Sequence, residues 1–155
     1  MKWMIASDLH GSAFYTKKLL EAFEREQADQ FLLLGDILYH GPRNDLPKGY
    51  NPKAVIEMLN NIKDKILCVR GNCDTEVDQM VLSFPVLADY AVIYDGNTTI
   101  YATHGHNYNE NNLPPLKKGD ILLHGHTHIP TNDLNEQGIL CVNPAYRHYP
   151  KAKFP

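Results

Sequence analysis

Between residues 121 and 129 the chain reads ILLHGHTHI, an apolar run that stops at three histidines spaced two apart, His124, His126 and His128. In extended backbone, residues i, i+2 and i+4 project to one side, so this spacing offers imidazoles to a metal. Oxygen and nitrogen donors recur in the same setting elsewhere. Asp8 and His10 follow the apolar residues 3–6, Asp36 follows 31–34, Asn72 follows 66–69 and His104 follows 98–103, each with a glycine close by. Singly, each has a plain account as a turn former or a hydrogen-bonded core residue. Jointly, five strand ends bearing donors point to one shared metal site, at the carboxyl ends of strands where α/β folds place their sites. Imidazole, carboxylate and amide oxygen together suit Mn, Fe, Zn or Co better than a soft thiolate site does.

The elements that must position these residues follow from periodicity. Residues 3–6 read as a buried strand, and Thr16, Leu19, Leu20 and Phe23 recur at i, i+3, i+4, i+7, the stripe of an amphipathic helix. With 31–34 as the next strand, this is a βαβ unit, which implies a parallel sheet and right-handed crossovers. Residues 40–50, HGPRNDLPKGY, lack either period and are expected to be an ordered surface loop. Asn51 suits an N-cap with Pro52 at the first helical position, and Val55, Met58, Leu59 and Ile62 supply the stripe. A third strand is expected at 66–69 and a short helix around Val77, Met80 and Val81. The second half is β-rich. Residues 88–94 and 98–103 flank Asp95-Gly96-Asn97, a strong hairpin signal, and 131–134 and 139–142 flank Glu136-Gln137-Gly138. The expected fold is α/β, with two sheets packed together and helices outside.

Composition narrows the function. A chain of 155 residues, 43% hydrophobic, suits one domain over 1–155, with 144–155 a divergent tail in which His148 is solvated. A net charge of -3 and no basic stripe argue against long nucleic acid or an anionic membrane surface as partner. Cys68, Cys73 and Cys141 form no CxxC pair, and the apolar run at residue 3 is broken at Ser7-Asp8, so a reducing, cytoplasmic setting is expected.

The blocks Asp8-Leu9-His10, Gly35-Asp36, Gly71-Asn72, His104-Gly105-His106 and Gly125-His126-Thr127-His128 resemble, in order, the DxH, GD, GN, GH and GHxH blocks of the calcineurin-like metallophosphoesterase superfamily. The wording GDILYHGPRN and RGNCDTEVDQM is most similar to its YfcE-type bacterial phosphodiesterases. The resemblance covers residues 1 to about 144. It implies an αββα sandwich of two mixed β-sheets flanked by helices. It also implies two divalent transition metal ions, with Mn first and Ni, Co, Zn or Fe as alternatives. One metal takes Asp8, His10 and His128, the other Asn72, His104 and His126, and Asp36 bridges them. The implied reaction is hydrolysis of small phosphodiesters by a metal-bridging hydroxide, with Asp36, Asn72 and His104 the catalytic set.

Other residues are placed more loosely. Many superfamily members carry His after the Gly-Asn pair, where this chain has Cys73. A thiol is the weaker hydrogen-bond donor, so activated diesters should be favoured over esters whose leaving alkoxide needs a proton. His40, Arg43 and Asn44 in the loop, Cys73 and His106 are the expected substrate contacts. His124 is expected to support the strand end. Relatives usually continue after an Asn-Pro-Gly-Ser turn into strands that complete the second sheet; this chain reads Asn143-Pro144-Ala145-Tyr146 and ends at Pro155. The expectation is a sheet lacking C-terminal strands, its bare surface covered by a second subunit in a homo-oligomer. The rival reading is a catalytically weak or inactive scaffold of the same fold.

Overall fold

Side chains alternate across each strand, and that alternation decides the layering. In the computed structural model, which describes residues 1–145, Trp3–Ala6 (β1), Gln30–Leu33 (β2) and Ile66–Cys68 (β3) form a parallel sheet in the order β1-β2-β3. The register sets Ile5 against Leu32 and Leu32 against Leu67. Met4, Phe31, Leu33 and Cys68 therefore point to one side, while Ile5, Leu32, Leu34 and Val69 point to the other. The first side is covered by α1 (Ala13–Arg25) and α2 (Pro52–Asn60). Both are crossovers between successive strands, so right-handed connections put them on the same face.

Both helices begin as local chemistry dictates. The Ser12 hydroxyl accepts from Tyr15 N–H at 3.2 Å, and Asn51 accepts from Ala54 N–H at 3.2 Å with Pro52 at the first position. The cap at Ser12 sets the start of α1 three residues ahead of the first stripe residue, Thr16. The short helix α3 (Glu76–Val81) starts from a capping box between Thr75 and Asp78. The residues that signal it, Val77 and Met80, are 67% and 82% exposed, because the chain turns inward only after the helix, at Leu82, Phe84 and Val86.

The second sheet is mixed and has five strands, β4 (Tyr90–Asp95), β5 (Thr98–Thr103), β6 (Ile121–Leu123), β7 (Thr131–Leu134) and β8 (Leu140–Asn143), in the order β4-β5-β6-β8-β7. The expected hairpins β4-β5 and β7-β8 are antiparallel, and β6 lies parallel to both β5 and β8. Ile93, Ile100, Ala102, Leu123 and Val142 face the first sheet and form the core between the two. Tyr101, Leu122 and Cys141 face outward and are covered by Leu113 and Leu116. The two-sheet sandwich is as expected from the sequence, with the first sheet wholly parallel and element ends shifted by a residue or two. The expectations for residues 146–155, His148 included, lie outside the described residues. Among those described, no helix is long and apolar enough to cross a membrane.

Candidate metal centre

All five donor-bearing strand ends meet at one edge of the sandwich. Leu34 N–H donates to Ala6 O at 2.9 Å and Val69 N–H to Leu33 O at 3.0 Å, so the first sheet's strands run on in register to their loops. Asp8 N–H then donates to Gly35 O at 3.0 Å and His10 N–H to Asp36 O at 2.9 Å, which ties the first two loops side by side. Gly35 and Gly71 allow the second and third loops to touch: a Cβ on Gly35 would strike the Gly71 backbone, and one on Gly71 would strike Asp36. On the second sheet, Gly125 N–H donates to His104 O at 2.7 Å, joining the ends of β5 and β6.

Backbone strain concentrates at the same place. Asp8, His10, Asp36, His126 and His128 all have left-handed φ, between 46° and 67°. Outside glycine, only Gln27 and Ala145 share that region among the described residues. Such residues cost on the order of 1 kcal/mol or more each and persist where surrounding bonds hold them.

The side chains converge in two separate groups, and a third set, His10, Asp36 and Cys73, overlaps both. Asp8, His10 and His128 bring one donor atom each within 4.8 Å of one another, and so do Asp36, His104 and His126. In the first, His128 Nε2 lies 3.1 Å from Asp8 Oδ1 and 3.3 Å from His10 Nε2. In the second, His104 Nε2 lies 3.3 Å from Asp36 Oδ2, 3.3 Å from His126 Nδ1 and 2.9 Å from Asn72 Oδ1. Asp36 Oδ2 is also 3.7 Å from His10 Nε2, so this carboxylate stands between the groups. Backbone carbonyls settle two tautomers. His10 Nδ1 is 2.7 Å from Tyr39 O and His104 Nδ1 2.7 Å from Leu34 O, so each donates there and turns its Nε2 lone pair into the cluster. Imidazole lone pairs facing one another at hydrogen-bond distance, with carboxylates between them, suit divalent cations.

Charge follows the same geometry. Burial works to raise Asp36, but the hydrogen bond and charge of His104, the Cys73 N–H at 2.8 Å and His10 outweigh it and hold the carboxyl at about 2. Burial likewise opposes ionisation of Asp8, and the His128 hydrogen bond and His104 charge hold it below its usual range. Burial pushes His104 down, yet Asp36 and Asp8 together leave it raised. His126 is lowered, by burial first and then by His104. Burial, then Asp36 and Asp74, push the Cys73 thiol up to about 12, so it stays protonated.

A cavity of about 410 Å³ opens over the cluster. One wall holds His10, Asp36, Asn72, Cys73, His126 and His128; the other is Gly41-Pro42-Arg43-Asn44. Arg43, Asn44 and Cys73 therefore face the space a substrate would enter. His40 does not line it. Its ring packs edge-on between Tyr39 at 4.9 Å and Tyr50 at 5.4 Å, turned there by the loop's closure onto α1. His106 is exposed, 5.4 Å from the His104 ring centre, and stands outside the lining. His124 is buried behind the donors and belongs to neither group.

Two residues escaped the sequence reading. Asp74, 1% exposed, accepts from Asp36 N–H at 2.8 Å, Ile37 N–H at 2.9 Å and Gly71 N–H at 2.7 Å, so one carboxylate clamps the Asp36 and Asn72 loops together. Asn143, fully buried, donates to Gly125 O at 3.0 Å and Thr127 Oγ1 at 2.9 Å and holds the GHTH loop. The acid after Gly-Asn-Cys was visible as a motif residue but reads as an ordinary turn former.

Comparison with known proteins identifies the family and the fold. The phosphodiesterase YfcE of Escherichia coli K12 is 44% identical over 155 residues, all of this chain and 84% of that protein. The solved structure of YfcE, a phosphoesterase from E. coli, superposes with a TM-score of 0.91 at 46% identity, covering 94% of this chain and 79% of that one. An archaeal phosphodiesterase structure, 22% identical with a TM-score of 0.64 and covering 94% of this chain and 84% of its own, shares the fold. The family model described as the calcineurin-like phosphoesterase superfamily domain matches residues 1–153. The chain belongs to the calcineurin-like phosphoesterase superfamily and is a metal-dependent hydrolase of phosphoester bonds.

Proposed function

We propose that residues 1–155 form a single dinuclear, metal-dependent phosphodiesterase domain acting on small phosphodiesters. The observation that carries this reading is the pair of donor groups meeting across Asp36. Asp8, His10 and His128 would hold one ion, and Asn72, His104 and His126 the other. Two divalent transition metals, manganese first, would supply charge to neutralise phosphate oxygens and would lower the pKa of water towards neutrality for attack on phosphorus. The chain's own part is to hold that charge still. Tyr39 O and Leu34 O fix the His10 and His104 tautomers, and Cys73 N–H orients Asp36. The complete donor set favours an enzyme over a scaffold.

Chelation and add-back of Mn, Ni, Co or Zn, with metal analysis and bis(p-nitrophenyl) phosphate hydrolysis, tests the reading. Activity should vanish with the metal and return with it. Asp36→Asn and His126→Ala should each lose metal and at least about a hundredfold in rate, since even residues that only support a metal ligand cost that much when changed. Full metal content and full rate in both variants would overturn it.

Cys73 stands at the cavity wall as a neutral thiol and so serves as a weak donor, leaving hydroxide as the nucleophile. Cys73→His should raise the rate on alkyl relative to aryl esters by about a hundredfold, the lower end of what general acid catalysis contributes. An unchanged profile would remove Cys73 from leaving-group stabilisation. The three free thiols support a reducing, cytoplasmic setting. The exposed Tyr90 and Tyr94 on edge strand β4 support a homo-oligomer, which light scattering on dilution would read.

A further inference from the structure

The two walls of the cavity differ in kind, and the second has a consequence for the substrate. Gly41-Pro42-Arg43-Asn44 is not a loose flap. Within the loop Asn44 Nδ2 donates to His40 O at 2.9 Å; at its far end Ala13 N–H donates to Gly49 O at 3.0 Å and the Ser12 hydroxyl to Lys48 O at 2.6 Å, and at its near end His10 Nδ1 donates to Tyr39 O at 2.7 Å. From this anchored loop Arg43 reaches the cavity with no hydrogen-bond or ion-pair partner among the described residues. The donor histidines apart, it is the one cationic side chain in the lining among the described residues. Among the described residues no Phe, Tyr or Trp lines the cavity, and the nearby Tyr39 and Tyr50 are turned onto His40. Sequence-tolerant binding of nucleotides relies on aromatic platforms for the bases. This wall offers none. A guanidinium, by contrast, matches the planar fork of a carboxylate or phosphate.

Resting on the phosphodiesterase reading, the geometry points to a narrower substrate class: small phosphodiesters in which one arm carries a second anionic group, a carboxylate or a further phosphate, seated on Arg43 while the reacting phosphate occupies the donor cluster. The volume of about 410 Å³ suits a phosphate with a short arm. The net charge of -3 supplies no general attraction for anions, so discrimination rests on this local contact.

The test uses the manganese-loaded protein and p-nitrophenyl phosphodiesters with a common leaving group. The other arm is ethyl, 2-carboxyethyl, 2-phosphoethyl or 5′-thymidyl. Wild type should prefer the two anionic arms to ethyl by about tenfold in kcat/KM, the worth of one charge-assisted contact, and should gain nothing from the thymidyl arm. The carboxylate and phosphate arms separate the two anion sources. Arg43→Gln should bring the anionic-to-ethyl ratio to about one, and Arg43→Glu should invert it. Calorimetric binding of the matching methylphosphonate monoesters should give the same order without turnover. Hydrolysis of all four with equal kcat/KM, or a ratio unmoved in both Arg43 variants, overturns the inference while leaving the phosphodiesterase reading intact. A preferred thymidyl arm would assign the cavity to nucleotides instead. No hydrolysis of any diester with any metal overturns both.

Discussion

The two sheets deliver donors to the same cluster from unequal surroundings. On the first, Phe23 of α1 and Val55 and Leu59 of α2 are buried against Phe31 and Leu33, so the sheet is covered on both faces. On the second, Tyr90 and Tyr94 of β4 are 53% and 77% exposed, and among the described residues only Leu113 and Leu116 pack over the outer cluster. The division extends to chemistry. The covered sheet supplies the oxygen donors, Asp8, Asp36 and Asn72, with His10, while the half-covered sheet supplies only imidazoles, His104, His126 and His128. A buried carboxylate stays ionised only where N–H or imidazole partners are held against it to offset the loss of water, and the rigid loops of the fully packed sheet hold them there. Imidazoles are neutral when unprotonated and tolerate the looser side.

Asp74 and Asn143 are the corresponding clamps, and comparing them tests the division most strongly. Asp74→Ala strands three buried N–H groups around the Asp36 loop and should cost about 3–5 kcal/mol in urea unfolding of the metal-free protein. Asn143→Ala removes two donated bonds and one accepted from Ala145 N–H, all without charge, and should cost about 1–3 kcal/mol. Both should lower manganese affinity. Equal costs would mean that the two sheets are equally committed to holding the cluster.

Titration should separate the sheets next. Asp36, held at about 2, contributes stability that is present above the ordinary carboxylate value of 3.8 and lost as pH falls through about 2. His104, raised above 6.5, does the reverse in the metal-free protein: its contribution is present below 6.5 and lost as pH rises through its higher folded value. A metal held by His104 would need its Nε2 lone pair, so protons would compete with the metal at this residue of the second sheet. Manganese affinity should therefore fall by up to about tenfold per unit as pH drops below the raised His104 value, one proton being displaced. Calorimetry between pH 6 and 8 would check it; a flat profile would mean that His104 is already deprotonated.

The same contrast explains what could be read from the sequence. Five strands were legible because an apolar run there stops at a donor with a glycine close by, the other strands were legible from the turns Asp95-Gly96-Asn97 and Glu136-Gln137-Gly138, and the roles of the seven donors were implied by the family resemblance alone. Asp74 was not legible, because its partners are backbone N–H groups 37 and 38 residues away, and no side-chain pattern records them. Asn143 was hidden by a neighbouring proline that reads as a turn. His40 and Arg43 lie in one loop of no periodicity, and only the folded course of that loop decides that the arginine faces the cavity while the imidazole packs among tyrosines. Val77 and Met80 gave the correct helix for an incorrect reason, since neither is buried.

His124 offers the finest test, because it sits two residues before His126 on the same strand end and differs only in which way the backbone turns. Its ring is 1% exposed, its Nε2 has no hydrogen-bond partner among the described residues, and Glu110 Oε2 is 4.0 Å away. Nδ1 lies 3.3 Å from Gly125 O, a weak local contact. Burial first lowers its pKa, so the ring is neutral and acts mainly as volume under the GHTH loop. His124→Leu trades an unsatisfied nitrogen and one long bond for an apolar group of similar size, and should change stability by less than about 1 kcal/mol with metal content intact. Loss of metal in this variant would mean that the Gly125 contact, and not Asn143 alone, fixes the path of the loop that carries His126 and His128.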